Sequence, residues 1–155
     1  MIKRILFLNL MLLLSIGFTF SQKDKIKIDN DIVLVNNIPV FKLKTFQMQT
    51  FTLYDLNDTK LAIFNCLDYY DSKEISSGNP KGRVVYFDVT FLNDDTDKCE
   101  IPCNGFKKQL AQYIQEYGLV KEGKLDETAV KQFVKIHGNK FSDVRNRSTT
   151  IIIQR

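Results

Sequence analysis

Between Lys25 and Leu92 the chain alternates short apolar runs with polar breaks. "IKID" gives way to "DIVLV" at Asn30, and "DIVLV" to "IPVFKLKTF" at Asn36-Asn37. Asparagine tolerates the left-handed conformation of tight hairpins, so both junctions read as turns. "TFTLYDL" follows, then a further turn signal at Asn57-Asp58, then "KLAIFNCLDYY". The polar stretch "DSKEISSGNPKG" separates it from "RVVYFDVTFL". There Val85, Phe87, Val89 and Phe91 alternate with Tyr86, Asp88 and Thr90, the period of a strand with one buried face. The pattern predicts an antiparallel meander of about six strands.

After Cys103 the period lengthens. Phe106, Leu110, Tyr113, Ile114 and Tyr117 make one apolar stripe on a helix, with Asn104 as the expected N-cap and Gly118 as the stop. "GLVKEGKL" leads to a second helix, capped by Asp126 and stapled by Leu125 on Val130. Val130, Phe133, Val134 and His137 share its apolar face, and Gly138 ends it. The β-branched "STTIIIQR" reads as a closing strand. A sheet with one apolar face and two helices with apolar stripes bury one another, so the expected fold is α+β: a meander packed against two consecutive helices, with a C-terminal strand.

The first residues read differently. Lys3 and Arg4 precede an apolar run from Ile5 to Phe20, and Thr19 and Ser21 occupy the −3 and −1 positions of a cut before Gln22. Residues 1–21 therefore read as a secretory signal peptide. The run is short and interrupted by Asn9, Ser15 and Gly17 for a spanning helix, which needs about 20 apolar residues. Cleavage leaves 22–155 as one α+β domain, periplasmic or extracellular, with no stable membrane insertion. It also removes two cations, so 20 basic residues face 18 acidic ones. That near balance, together with export, argues against nucleic acid as a partner.

The exported setting bears on Cys66, Cys99 and Cys103. Nearby thiols oxidise outside the cytosol, and Cys99 and Cys103 are close in sequence with Pro102 stiffening the turn between them. Cys99–Cys103 is the favoured disulfide, with Cys66 bonded to either as the alternative. A thiol-dependent redox factor or enzyme is the competing reading. Cys103 at a helix N-terminus, with Lys107 and Lys108 a turn on, would be the nucleophile and Cys99 its resolving partner. The spacing is C-x₃-C, however, and not the C-x-x-C of a βαβ context. Zinc would need four ligands where one cysteine pair and a lone His137 are present. The acidic run Asp94, Asp95, Asp97, Glu100 lacks the ordered spacing of a calcium loop. No serine elbow, metalloprotease pair or glycine-rich phosphate loop accompanies His137, so no catalytic residue, cofactor or metal is assigned.

Binding remains. In "DYYDSKEISSGNPKGR" two tyrosines end a strand and lead into a polar loop, the arrangement that concentrates contact residues on a rigid scaffold. Tyr69, Tyr70, Lys81 and Arg83 are the candidate binding residues, weighed against a plain surface loop. Arg145, Arg147 and Arg155 read as charges that solubilise the flank of the closing strand. The expectation is a small exported, non-catalytic binding or interaction module whose partner is an envelope or extracellular protein.

Overall fold

The computed structural model describes residues 24–148. The expected signal peptide, residues 1–21, lies outside the described residues, as does the C-terminal strand expected at 148–155 apart from Ser148, which is helical. Seven antiparallel strands follow one another in a single sheet in chain order: β1 Ile26–Asp29, β2 Ile32–Val35, β3 Ile38–Phe46, β4 Thr50–Tyr54, β5 Lys60–Tyr70, β6 Arg83–Phe91 and β7 Lys98–Pro102. The first six are those the alternation predicts. The seventh, "KCEIP", lies where the sequence reads as a loop.

Turn chemistry sets the meander. Asn30-Asp31 and Asn36-Asn37 hold φ of 46° and 71°, and of 53° and 68°, the doubly left-handed turn of two-residue hairpins. Gln47 and Met48 take the same sign of φ, 51° and 60°, with side chains poorly suited to it. Asp55 closes the β4–β5 turn, its Oδ1 accepting from the N–H groups of Asn57 and Thr59 at 2.9 and 2.7 Å.

Residues opposite one another on neighbouring strands share a face. Phe41, Leu43, Phe51, Leu53, Phe64, Phe87, Val89, Cys99 and Ile101 are buried together on one face of the sheet. Two helices cover it: α1, Phe106–Glu116, through Leu110, Ala111 and Ile114, and α2, Glu127–His137, through Val130 and Phe133. α1 spans towards the β1 edge, where Lys107 pairs with Asp31 and Gln115 Nε2 donates to Asp24 at 2.9 Å. Between the helices, β8 Val120–Lys121 and β9 Lys124–Leu125 form a two-residue hairpin through Glu122 and Gly123.

The helix ends correct one expectation and bear out another. Asn104 does not cap α1; Gly105 occupies that position without a side-chain bond. Gln109 substitutes from inside the helix, its Oε1 accepting from the N–H groups of Asn104 and Gly105 and its Nε2 donating to the Pro102 carbonyl. Asp126 does cap α2, accepting from Ala129 N–H at 2.9 Å, and Gly138 ends it at φ 58°.

Past Gly138 the chain bends around the β7 edge into α3, Lys140–Ser148, which lies on the opposite face of the sheet. "DVRNRS" is thus helical, with Arg145 inside α3. The Gly138 carbonyl accepts the outward Glu100 N–H at 2.7 Å. The buried Glu100 carboxylate then accepts from the first amides of α3, Phe141 and Ser142, at 2.8 and 2.9 Å. A carboxylate there satisfies orphan donors and complements the helix dipole. Phe141 stacks on Tyr86 with ring centroids 5.0 Å apart, and Arg145 donates to the Tyr86 hydroxyl at 3.1 Å. Glu100→Ala should cost about 2 kcal/mol, a lost cap plus two unsatisfied amides. It should speed hydrogen exchange at Phe141 and Ser142 more than in α1, as read by exchange mass spectrometry.

Candidate functional site

At the end of the sheet that holds the β5–β6 loop, β5 and β6 run past the helices. Along β5, Phe64 is buried, Cys66 half-buried, and Asp68 and Tyr70 exposed, all on the helix-covered side. Their cross-strand neighbours on β6, Val89, Phe87, Val85 and Arg83, follow the same gradient, apart from the buried Phe87 beside Cys66. The result is a shelf floored by Val85, Asp68, Tyr70 and Arg83, with Cys66 and Cys103 at its inner margin. Arg83 Nε donates to Asp68 Oδ2 at 2.8 Å, and this ion pair is half open to solvent. Phe106, exposed at the start of α1 and 6.4 Å from the Phe51 ring, flanks it.

The loop above the shelf is tightly built. Asp71 N–H donates to the Gly82 carbonyl at 2.8 Å, and Asp71 Oδ1 caps the single 3₁₀ turn Ser72–Glu74 by accepting from Lys73 N–H. Asn79 ties the two arms: its amide donates to the Glu74 and Arg83 carbonyls, and its oxygen accepts Arg83 N–H at 2.9 Å. Gly82 sits at φ 64°, and a Cβ there would lie 2.1 Å from the Asp71 carbonyl oxygen. From this frame Tyr70 and Ile75 stand 61% and 57% exposed.

Of the four expected binding residues, the structure brings Tyr70 and Arg83 together as cross-strand neighbours. Tyr69 points the other way, its ring 6.1 Å from Tyr86 on the α3 side, and burial pushes its hydroxyl pKa up. Lys81 is exposed in the loop, one residue from the shelf. Asp68, Asn79 and Ile75 escaped the sequence reading, although Asn79-Pro80 followed by Gly82 is a turn signal that could have marked the frame.

The expected Cys99–Cys103 disulfide is absent; all three cysteines are free. Cys99 lies within β7, and four residues of extended strand cover about 13 Å, whereas bonded cysteines have Cα atoms about 4.4–6.8 Å apart. Burial pushes the Cys99 thiol up to about 12, with Asp88, Glu100 and Asp97 adding repulsion. The activated thiolate imagined at Cys103 is also corrected. Burial first and the Cys66 thiol second outweigh the favourable pull of the Phe106 amide and hold Cys103 at about 11.

His137 packs into an aromatic cage of Phe133, Tyr113 and Tyr117 at centroid distances of 4.4, 5.9 and 5.8 Å. Its Nε2 is buried without a hydrogen-bond partner. It is thus a half-buried side chain packed between α1 and α2. Among the described residues no three metal-ligating side chains come together. Lys42 and Lys44 on the open sheet face both bond Asp58 at 2.8 Å, hydrogen bonds that hold its carboxyl at about 2. Two shallow grooves along α1, of about 380 and 290 Å³, share the mixed polar residues Lys108, Gln112 and Glu116. Comparison with protein-family models, with curated proteins and with solved structures finds no match to this chain.

Burial, reinforced by Lys140, holds the His137 imidazole below its ordinary value of 6.5. The unfolded chain therefore takes up that proton first as pH falls, so this stability is present above 6.5 and lost below it. The thermal midpoint should fall on acidification through the ordinary imidazole range, and His137→Leu should flatten that part of the profile. Gly82→Ala combines left-handed strain with a backbone clash and should cost about 3 kcal/mol in urea unfolding.

Proposed function

We propose that this chain is a small exported, non-catalytic binding module, and that the β5–β6 end of the sheet is its contact surface. The observation that carries the reading is the restrained loop displaying Tyr70 and Ile75 beside Arg83. A partner fitting this surface presents an apolar spot for the tyrosine ring and isoleucine, and a carboxylate that can share Arg83 with Asp68. Tyrosine and arginine are the side chains that most often dominate such contacts. Export supplies the partner's class, an envelope or extracellular protein.

Site-specific photo-crosslinking in the native host tests both halves. A photoreactive residue at Tyr70 or Ile75 should yield one discrete adduct in the envelope or extracellular fraction, while one at Glu122 in the distant β8–β9 hairpin yields none. Equal yields at all three positions, or none at any, would overturn the contact surface. N-terminal sequencing of the native protein should begin at Gln22; a cytoplasmic chain retaining Met1 would remove export.

A further inference from the structure

β4 stops short of β5. Its register with β5 ends at Thr50 opposite Asn65, and beyond that Cys66 N–H donates to the Gln49 carbonyl at 2.7 Å. β5 runs on to Tyr70, paired on its other side with β6 as far as Arg83. In an antiparallel strand the N–H and C=O of one residue point to the same edge, and successive residues alternate edges. Cys66 bonds towards β4, so Asp68 and Tyr70 point their main-chain groups that way too. β6 gives the same parity independently. The Val85 carbonyl accepts Cys103 N–H, and Arg83 N–H and C=O bond to Asn79, so both residues turn away from the Asp68 and Tyr70 opposite them. Among the described residues no strand pairs with Asp68 or Tyr70 on the β4 side. The result is a notch one strand wide, with the β5 edge as its wall and the β3–β4 turn at its foot. Phe46, Met48, Leu67 and Tyr70 stand exposed around it. The end strand β1 differs, because it carries the exposed charges Lys27 and Asp29 that discourage pairing.

We propose that this notch accepts a strand of the partner, an extended segment that lies in line with β4 and hydrogen-bonds to the main chain of Asp68 and Tyr70. Its side-chain pattern follows from the faces of β5. A residue opposite Asp68 shares the face of Asp68. Asp68 Oδ2 accepts from Arg83, and Oδ1 is the oxygen left to meet a second cation, so that position takes lysine or arginine. The residues before and after it turn to the other face, which Leu67 and Tyr69 share with Phe46 through the Phe46, Thr50 and Asn65 register, and they are apolar. The segment therefore reads apolar, basic, apolar. The inference rests on the contact surface proposed above and names how the partner grips it. The carboxylate that meets Arg83 belongs to another part of the partner, since Arg83 stands on β6, across β5 from the notch.

The test reads amide exchange by NMR on the folded full chain, with and without a saturating, end-blocked heptapeptide of alternating valine and lysine. The Asp68 and Tyr70 amides should slow about tenfold with peptide, as amides entering a ladder do. Those of Leu67 and Tyr69, which face β6, should not change. The same peptide with glutamate for lysine should give no protection. Tyr70→Pro removes an outward N–H and should bind the lysine peptide about tenfold more weakly than Tyr70→Ala does. Should Tyr70→Pro fail to fold, the wild-type exchange pattern still decides. Absent protection, or equal protection by the lysine and glutamate peptides, would overturn the proposal. So would protection that grows with protein concentration in the absence of peptide, because the occupant would then be a second copy of this chain. A discrete photo-adduct at Tyr70 in the host without peptide protection overturns strand addition alone. Protection without any adduct overturns the envelope partner and supports the strand-accepting edge.

Discussion

The edge of β7 is where this architecture is decided. An edge strand offers unpaired N–H and C=O groups to any strand that approaches. Here the Glu100 N–H is taken by the Gly138 carbonyl, and the Glu100 side chain reaches the opposite face to hold the start of α3. One residue thereby fixes the point at which the chain crosses from one face of the sheet to the other. α2 can then stay on the large apolar face while α3 covers Tyr86, which is 1% exposed although it lies on the opposite side from the main core. A buried carboxylate is costly unless its lone pairs are used, and here two helix-terminal amides use them.

That crossing also determines what is left uncovered. The helices lie over the sheet from the β1 edge to β7 but leave bare the far end of β5 and β6, where burial fades from Phe64 to Tyr70. Side chains alternate faces along β5, so the same extension sends Tyr69 towards Tyr86 and Tyr70 into solvent. The shelf, its ion pair and the two half-buried thiols all follow from two long strands outrunning a short helical layer.

Local signals were legible and long-range ones were not. Asn30 and Asn36-Asn37 announce their hairpins because asparagine suits the conformation they adopt; Gln47-Met48 turns against its own preference, held by the strands on either side. β7 was hidden because "KCEIP" is short, charged and ends in proline, the composition of a protected edge. The bend at Gly138 was readable as an end but not as a crossing, since the residue that receives it lies in β7, 38 positions earlier. Tyr70 and Arg83 share a side because they are cross-strand neighbours, a register that spacing along the chain does not give, whereas Tyr69 faces away because side chains alternate along a strand. Closeness in sequence points to Cys99–Cys103, whereas an extended strand separates near neighbours.

The restraint on the β5–β6 loop bears on what such a surface is suited to. A closing lid needs a segment whose open and closed forms differ little in free energy, and such segments carry few internal bonds. Asp71, Asn79 and Gly82 give this loop an internal bond at nearly every turn of its path. Ordering a residue's backbone costs about 1–2 kcal/mol, and here that cost falls on folding and not on association. Tyr70 and Ile75 thus stand in solvent with their backbone already placed. Under the proposed reading, a surface of this kind gains affinity by holding still.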